Sequence, residues 1–484
     1  MQKGVIDFIT LGCSKNLVDA ERVMRQLEAG GWRCVHDPEE PKGEICVINT
    51  CGFIGDAKEE SINMILQMAE RKKAGKLKQL IVMGCLSERY RAELEEELPE
   101  VDAYYGKFDF EKMVEGVGNP TPTPSQKGGE AGCHPAQLTK EANGCASFER
   151  KLTTPKHYAY LKISEGCNRM CSYCAIPLIT GRHTSRPMDE ILDEVRWLVG
   201  QGVKEFNVIA QDLSSYGLDL KPTPSNVLRT ATGSPIEQSS SPVKGREEKK
   251  HLLPELVDKM AEIEGVEWIR LHYAYPTDFP EGLLDVMAKH PNVCKYLDIA
   301  LQHCTDHMLG LMRRHITRAE QDALIKKIRE KVPGICIRTT LLVGHPGETE
   351  EDFEELKEWV KEMRFDRMGC FAYSDEEGTY ANKHYKDDIP QEVKDARAAE
   401  LMAIQQGISA ALMARFVGTT QRVIIDREEG EYLIGRTQYD SPEVDCEVLI
   451  STKGQRTKDK GLIGEFVDVK ITKAEEFDLY GEIQ

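Results

Sequence analysis

Apolar residues over positions 1–105 switch repeatedly between a period of two and the longer helical period. Positions 5–10 read as a strand. Positions 16–28 carry Leu17, Val18, Val23, Met24 and Leu27 at helical spacing, and Gly30-Gly31 ends the run. Positions 45–49 and 80–83 are further strands, with helices over 57–73 and 88–98. Such alternation predicts a mostly parallel sheet with helices on both faces.

Positions 117–155 break the pattern with Pro-Thr-Pro-Thr-Pro at 120–124, Gly128-Gly129 and scattered polar residues, and read as a linker. Alternation then resumes, with strands over 160–164, 206–210, 268–272, 296–301, 336–343 and 366–373 and helices between them. These repeats predict a partial barrel. Its regularity fails at 219–250, where Ser, Thr and Pro crowd and no core can be buried; the stretch reads as an inserted, largely disordered excursion. A polar helix over 392–415 leads to short strands at 421–425, 432–436, 444–449 and 465–472, the pattern of a small β-barrel. The expected class is α/β: an N-terminal parallel-sheet domain (1–116), the linker (117–155), a partial (β/α) barrel (156–390, insertion 219–250), a connecting helix (391–416) and a small C-terminal β-barrel (417–484).

At 484 residues the chain is too long for one core, which agrees with that division. No apolar run approaches the roughly 20 residues of a membrane span, and Asp7 interrupts the N-terminal apolar stretch. The expectation is a cytoplasmic protein with no membrane contact. Its fifteen cysteines would then stay reduced, so metal binding or catalysis has to account for those that are not core filler. A net charge of −18 argues against general wrapping of nucleic acid and suits a basic partner.

The strongest chemical signal is Glu165-Gly166-Cys167-Asn168-Arg169-Met170-Cys171-Ser172-Tyr173-Cys174, three cysteines spaced C-x-x-x-C-x-x-C after a predicted barrel strand. A four-iron cubane normally takes four thiolates. Three from one loop leave an iron open to a small molecule. Zinc would call for a fourth ligand nearby, usually in C-x-x-C pairs, and none is there. A second set is dispersed: Cys13, Cys51 and Cys85 each follow a predicted parallel strand, which places them on the sheet edge where α/β folds build sites. Three thiolates again leave one iron open.

The remaining candidates read more plainly. Cys34, Cys46, Cys294, Cys304, Cys336, Cys370 and Cys446 are expected to pack, and Cys133 and Cys145 fall in the linker. His272, His303 and His345 lie near carboxyl ends of barrel strands, with structural hydrogen bonding the favoured role. Gln211 and Arg338 are candidates for cofactor or substrate contact, and a turn cap and a sheet-edge ion pair explain them equally well.

The Cys167 loop, with its aromatic Tyr173, resembles the radical-SAM motif, which implies a [4Fe-4S] cluster on Cys167, Cys171 and Cys174. Its open iron would bind S-adenosylmethionine and an electron would cleave it to a 5′-deoxyadenosyl radical. Together with LGCSKN, NTCGF and MGCL, the loop resembles the methylthiotransferase family. That resemblance implies a second [4Fe-4S] cluster on Cys13, Cys51 and Cys85 holding the sulfur to be methylated and transferred, and a TRAM-like terminal barrel. It also implies an external reductant and a sulfur donor. Gly344-His345-Pro346-Gly347-Glu348-Thr349 resembles the family's GFPGET segment with His345 in place of Phe, and Ala300 stands where members often have Pro.

LGCSKNLVDAER, VIAQDLSSYG and GRTQYDSPEVD resemble the branch that methylthiolates the β-carbon of an aspartate in the twelfth protein of the small ribosomal subunit. The tRNA-modifying members carry a YGCQMN type instead. Charge agrees: positions 417–484 hold 9 Lys+Arg against 15 Asp+Glu, whereas a barrel that grips RNA should be basic. A basic ribosomal protein would be drawn to such a surface, with Asp440, Glu443 and Asp445 as its expected docking acids. The alternatives are a tRNA adenosine methylthiotransferase and a noncatalytic iron–sulfur protein that binds ribosome or RNA.

Overall fold

The structure, a computed structural model, describes residues 3–118, 148–220, 251–451 and 461–484. Most of 117–155 and 219–250, with Cys133 and Cys145, lies outside them. The N-terminal sheet holds β1 (Val5–Thr10), β2 (Arg33–His36), β3 (Ile45–Thr50), β4 (Gln79–Gly84) and β5 (Ala103–Tyr105), all parallel, in the order β2-β1-β3-β4-β5. The run Ile45–Thr50 is buried throughout, as a strand covered on both sides requires. Phe8, Val47, Ile81 and Met83 pack under the helices Ser14–Ala29 and Phe110–Gly116. Ile9, Cys46, Ile48, Leu80 and Val82 face the other way, onto Gly55–Lys73 and Cys85–Glu97.

The second unit contains β6 (Tyr158–Lys162), the short hairpin β7 (Ser164–Glu165) and β8 (Thr184–Ser185), β9 (Glu205–Ile209), β10 (Trp268–Ala274), β11 (Val293–Ile299), β12 (Cys336–Val343) and β13 (Arg367–Ala372). Apart from the hairpin these form one parallel sheet whose neighbours follow chain order, β6 to β13. Phe206, Val208, Ile269 and Leu271 point into the layer of helices. Their alternates Glu205, Asn207, Arg270 and His272 are buried too, so the inner face of the sheet is polar. The helix Gln391–Met413 packs Leu401, Ile408 and Leu412 on the apolar layer and leads to the last unit.

That unit is a closed barrel of β14 (Thr420–Glu429), β15 (Tyr432–Arg436), β16 (Val448–Ser451), β17 (Phe466–Ala474) and β18 (Leu479–Ile483), ordered β14-β15-β16-β18-β17. The expected strand at 444–449 is mostly a loop. Local β-propensity is overridden there, because Asp440 and Asp445 reach arginines of the sheet. Arg367 pairs with Asp440 at 2.6 Å and Arg338 with Asp445 at 3.4 Å, while the Tyr296 hydroxyl donates to Asp445 at 2.8 Å. Arg436 similarly binds Glu205 at the start of β9, at 2.7 Å. Asp440 and Asp445 are therefore fasteners between two units rather than open docking acids. Glu443 is exposed but accepts a hydrogen bond from the Tyr158 hydroxyl at 3.0 Å. The reading of these three as a docking patch is corrected. No helix among the described residues is long and apolar enough to cross a membrane.

Candidate active site

Cys13, Cys51 and Cys85 emerge just past the ends of β1, β3 and β4, which are adjacent in the sheet. The strand order reverses between β1 and β3, and open α/β sheets take ligands in that crevice. Close approach depends on glycine. Gly12 sits at φ 96°, where a Cβ would stand 2.9 Å from Cys51 Cβ and 3.2 Å from its Sγ. Asn16 then ties the three segments together. Its Nδ2 donates to the Leu11 and Thr50 carbonyls, each at 3.1 Å, and its Oδ1 accepts from Cys85 Sγ at 3.5 Å.

The three thiols differ electrostatically. Desolvation raises the Cys13 pKa, but Lys15, Lys107 and the backbone N–H groups of Asn16 and Lys15 outweigh it and bring the thiol below its ordinary value. Burial pushes Cys85 up to about 12, and Cys51 is raised mainly by burial as well.

Cys167, Cys171 and Cys174 lie in the loop between β7 and the helix Ile176–Thr180. Gly166, at φ 77°, runs so close to the Arg182 carbonyl that a side chain has no room. The Cys167 N–H donates to the Gly181 carbonyl at 3.2 Å, and the Arg169 N–H donates to Cys167 Sγ at 3.3 Å. Cys171 Sγ receives Arg314 Nη1 at 3.3 Å and stands 3.4 Å from the Tyr275 hydroxyl. The Tyr275 ring is held between the guanidinium groups of Arg314, at 4.0 Å, and Arg169, at 4.3 Å. Ser172 anchors the loop from below: its N–H donates to Met312, its carbonyl accepts from Ala381, and its Oγ meets His345 Nε2 at 2.9 Å. Burial, then Asp212, pushes the Cys167 thiol up to about 12.

The two constellations share a border. Cys85 packs against Ala175 and Ile179, the residues just after the Cys167 loop. Lys15 Nζ lies 3.6 Å above the Tyr273 ring, two residues before Tyr275. A cleft of about 490 Å³ opens there, lined by Cys13, His272, Tyr273, Asp298 and Arg338 among others. Among the described residues no three His, Cys, Asp or Glu side chains close around a single ion. A cubane takes each thiolate on a separate iron, so thiols spread over a loop or a sheet edge fit it better than they fit zinc.

Gln211 and Arg338 have protein partners already. Gln211 Nε2 donates to the Glu165 carboxylate, which Lys107 and Lys162 also hold, and its Oε1 is buried without an acceptor's partner. Arg338 joins Asp298, at 3.3 Å, to Asp445. The histidines do structural work. His272 meets Asn207 Oδ1 at 3.2 Å, and burial, then Arg270, lowers its pKa well below the usual value. His303 faces Glu348 at 3.3 Å. Glu348 in turn accepts from the Gly344 N–H, and Thr349 caps the helix Glu350–Met363, so the Gly344 segment is a strand-to-helix turn as expected. Cys34, Cys46, Cys304 and Cys446 belong to apolar clusters, and Cys294 and Cys336 pack with Trp268 where the terminal barrel meets the sheet. Sequence reasoning missed Lys15, Lys107, Tyr273, Tyr275 and Arg314. Lys15 stands inside the LGCSKN segment and was legible there, while the others carry no local motif.

Three family models match in series: Uncharacterized protein family UPF0004 over residues 5–106, the Radical SAM superfamily over 161–360 and the TRAM domain over 417–483. A solved radical S-adenosylmethionine methyltransferase, TsrM from Kitasatospora setae, has a TM-score of 0.52 at 14% identity over 77% of this chain and 75% of that one, a likeness of fold. Fold and family models together define a radical-SAM enzyme. Similarity over the whole length narrows this further. Proteins named ribosomal protein uS12 methylthiotransferase RimO are 58% identical in Bacteroides fragilis and 55% identical in Parabacteroides distasonis, each covering 100% of both chains. The chain belongs to this methylthiotransferase family.

Proposed function

We propose that the chain methylthiolates the β-carbon of an aspartate in ribosomal protein uS12, in the cytoplasm, drawing on a one-electron reductant and a sulfur donor. The observation that carries this reading is the shared border of two three-cysteine sites, with Cys13 opening onto a cleft beside it, in a chain so similar to uS12 methylthiotransferases over its full length. Cys167, Cys171 and Cys174 would hold one [4Fe-4S] cluster, and Cys13, Cys51 and Cys85 the other. Bound there, the clusters supply the electron that cleaves S-adenosylmethionine and the sulfur that is methylated and transferred.

The chain's own residues prepare both places. Arg314 brings a buried positive charge and an N–H to Cys171, and the Tyr275 hydroxyl lies beside the same sulfur. Lys15 and Lys107 do the same electrostatically for Cys13. The terminal barrel fastens onto the base of the sheet through Arg436–Glu205, Arg367–Asp440 and Arg338–Asp445, and its Ser441–Val444 segment forms one wall of the cleft beside Cys13, the place for substrate. The thirteen cysteines among the described residues are all free thiols, which suits a reducing compartment.

The reading is tested by anaerobic reconstitution with iron and sulfide, followed by turnover with S-adenosylmethionine and reductant on purified uS12 and on tRNA. Mass spectrometry should place one methylthio group on an aspartate of uS12. Methylthiolated tRNA with unchanged uS12 would move the chain to the tRNA-modifying reading.

A further inference from the structure

Lys15 is 8% exposed, yet among the described residues its ammonium has no hydrogen-bond acceptor and no acid within ion-pair distance. It stands over the Tyr273 ring, 3.6 Å away. Lys15 is thus a cation with a buried stem and an ammonium free to meet an acceptor from outside the chain. The other cations at this border are matched. Arg338 has Asp298 and Asp445, Lys162 has Asp19 and Glu165, and Lys107 has Glu165 at 3.1 Å.

Two further features point at the same spot. Lys15 is the second residue of the helix Ser14–Ala29, whose first turn has no side-chain cap and no acidic residue, so its N-terminal N–H groups favour an anion. Tyr273, under the ammonium, holds φ 63°, a left-handed conformation that bulky residues avoid. Such strain persists only where surrounding structure enforces it, and here the Tyr273 N–H is fixed by Asp298 at 3.2 Å. The ring is a platform between the sheet carrying Cys13 and the strand end that continues to Tyr275 on Cys171.

Resting on the function proposed above, we infer that Lys15 is the specificity residue that receives the carboxylate of the target aspartate. A carboxylate seated on the ammonium would hold its neighbouring β-carbon beside the Tyr273 ring and Cys13, on the side of the border from which β10 leads to Tyr275 and Cys171. The rival role for Lys15 is to balance the charge of whatever Cys13 holds, and the two roles part on the substrate.

The test uses the reconstituted full chain and two synthetic uS12 peptides, one with the target aspartate and one with asparagine in its place. Affinity is read by fluorescence anisotropy without turnover, and iron is measured on each preparation. The parent should prefer the aspartate peptide by about tenfold or more, the effect of one hydrogen bond to a charged group. Compared per iron-loaded chain, Lys15→Gln should erase that preference, and Lys15→Arg should keep much of it. Three results overturn the inference: no preference in the parent, a preference that survives Lys15→Gln, or iron loss with both peptides weakened alike. Failure of the parent to methylthiolate either peptide is a different result, which sinks the proposed function instead.

Discussion

Cys167, Cys171 and Cys174 share one loop, whereas Cys13, Cys51 and Cys85 come from three strands of one sheet. The support for each runs opposite to its position in the chain. The single-loop site leans on residues far away: Tyr275, Arg314, Met312, His345 and Ala381 all bond to it. The dispersed site is held mainly by sheet register and by Asn16, which binds two strand-end segments and touches the third cysteine. Ligands close in sequence need tertiary props to stiffen a loop. Ligands brought together by a sheet inherit its rigidity.

The largest test removes the ligands themselves. Changing Cys167, Cys171 and Cys174 together to Ala should leave about half of the roughly eight irons of two cubanes and abolish cleavage of S-adenosylmethionine. The matching change at Cys13, Cys51 and Cys85 should also leave about half, but cleavage to 5′-deoxyadenosine should persist while methylthio transfer stops. Full iron retention in either triple variant breaks the assignment.

Backbone strain gives a smaller effect that separates the same two sites. Gly84 sits at φ 104° with Asn49 Oδ1 and the Thr50 backbone where a Cβ would go, and Gly166 is equally crowded by the Arg182 and Gly181 carbonyls. Gly84→Ala and Gly166→Ala should each cost about 1–3 kcal/mol or more. Each should also lose iron from its own site alone, read from the residual cluster spectrum in the triple-alanine background that removes the other site. Crossed losses would show that the sites are one cooperative unit.

Asn16→Ala should weaken the dispersed site without touching the other. It strips the buried Thr50 carbonyl and the half-buried Leu11 carbonyl of a donor, a loss of about 1–3 kcal/mol. Urea unfolding measures the cost, and a change below about 0.5 kcal/mol would mean that sheet register alone suffices.

How much of this was legible follows from where each constraint lives. The Cys167 spacing is local, so the chain declares it openly. Cys13, Cys51 and Cys85 were readable only because a strand end precedes each one. β2 and β5 escaped notice because four residues (Arg33–His36) and three (Ala103–Tyr105) are too few to display a period. The loop before β16 was mistaken for strand because Asp440 and Asp445 follow arginines on distant strands. The contact of Lys15 with Tyr273 has the same cause: it joins two domains, and no window of sequence contains both.

The smallest effect concerns His345, the prop beneath Ser172. Burial lowers its pKa from 6.5 to about 4, with Glu348, His303 and Asp387 as its titratable neighbours and three tyrosine rings packed around it. The folded state therefore binds fewer protons than the unfolded one between those values. Its contribution to stability is full above about pH 6.5 and declines as pH falls toward about 4. At about pH 5.5 that loss is on the order of 1 kcal/mol. His345→Phe removes the titration but also the bond to Ser172 Oγ, so near neutral pH the variant should be less stable by about 1 kcal/mol. Lowering the pH to about 5.5 should close most of that gap, since only the parent then loses stability through this group. Urea unfolding of the two chains at both pH values decides it. A gap that stays constant would mean that His345 supports the loop by shape alone, and the single-loop site would then have no acid-sensitive prop of this kind.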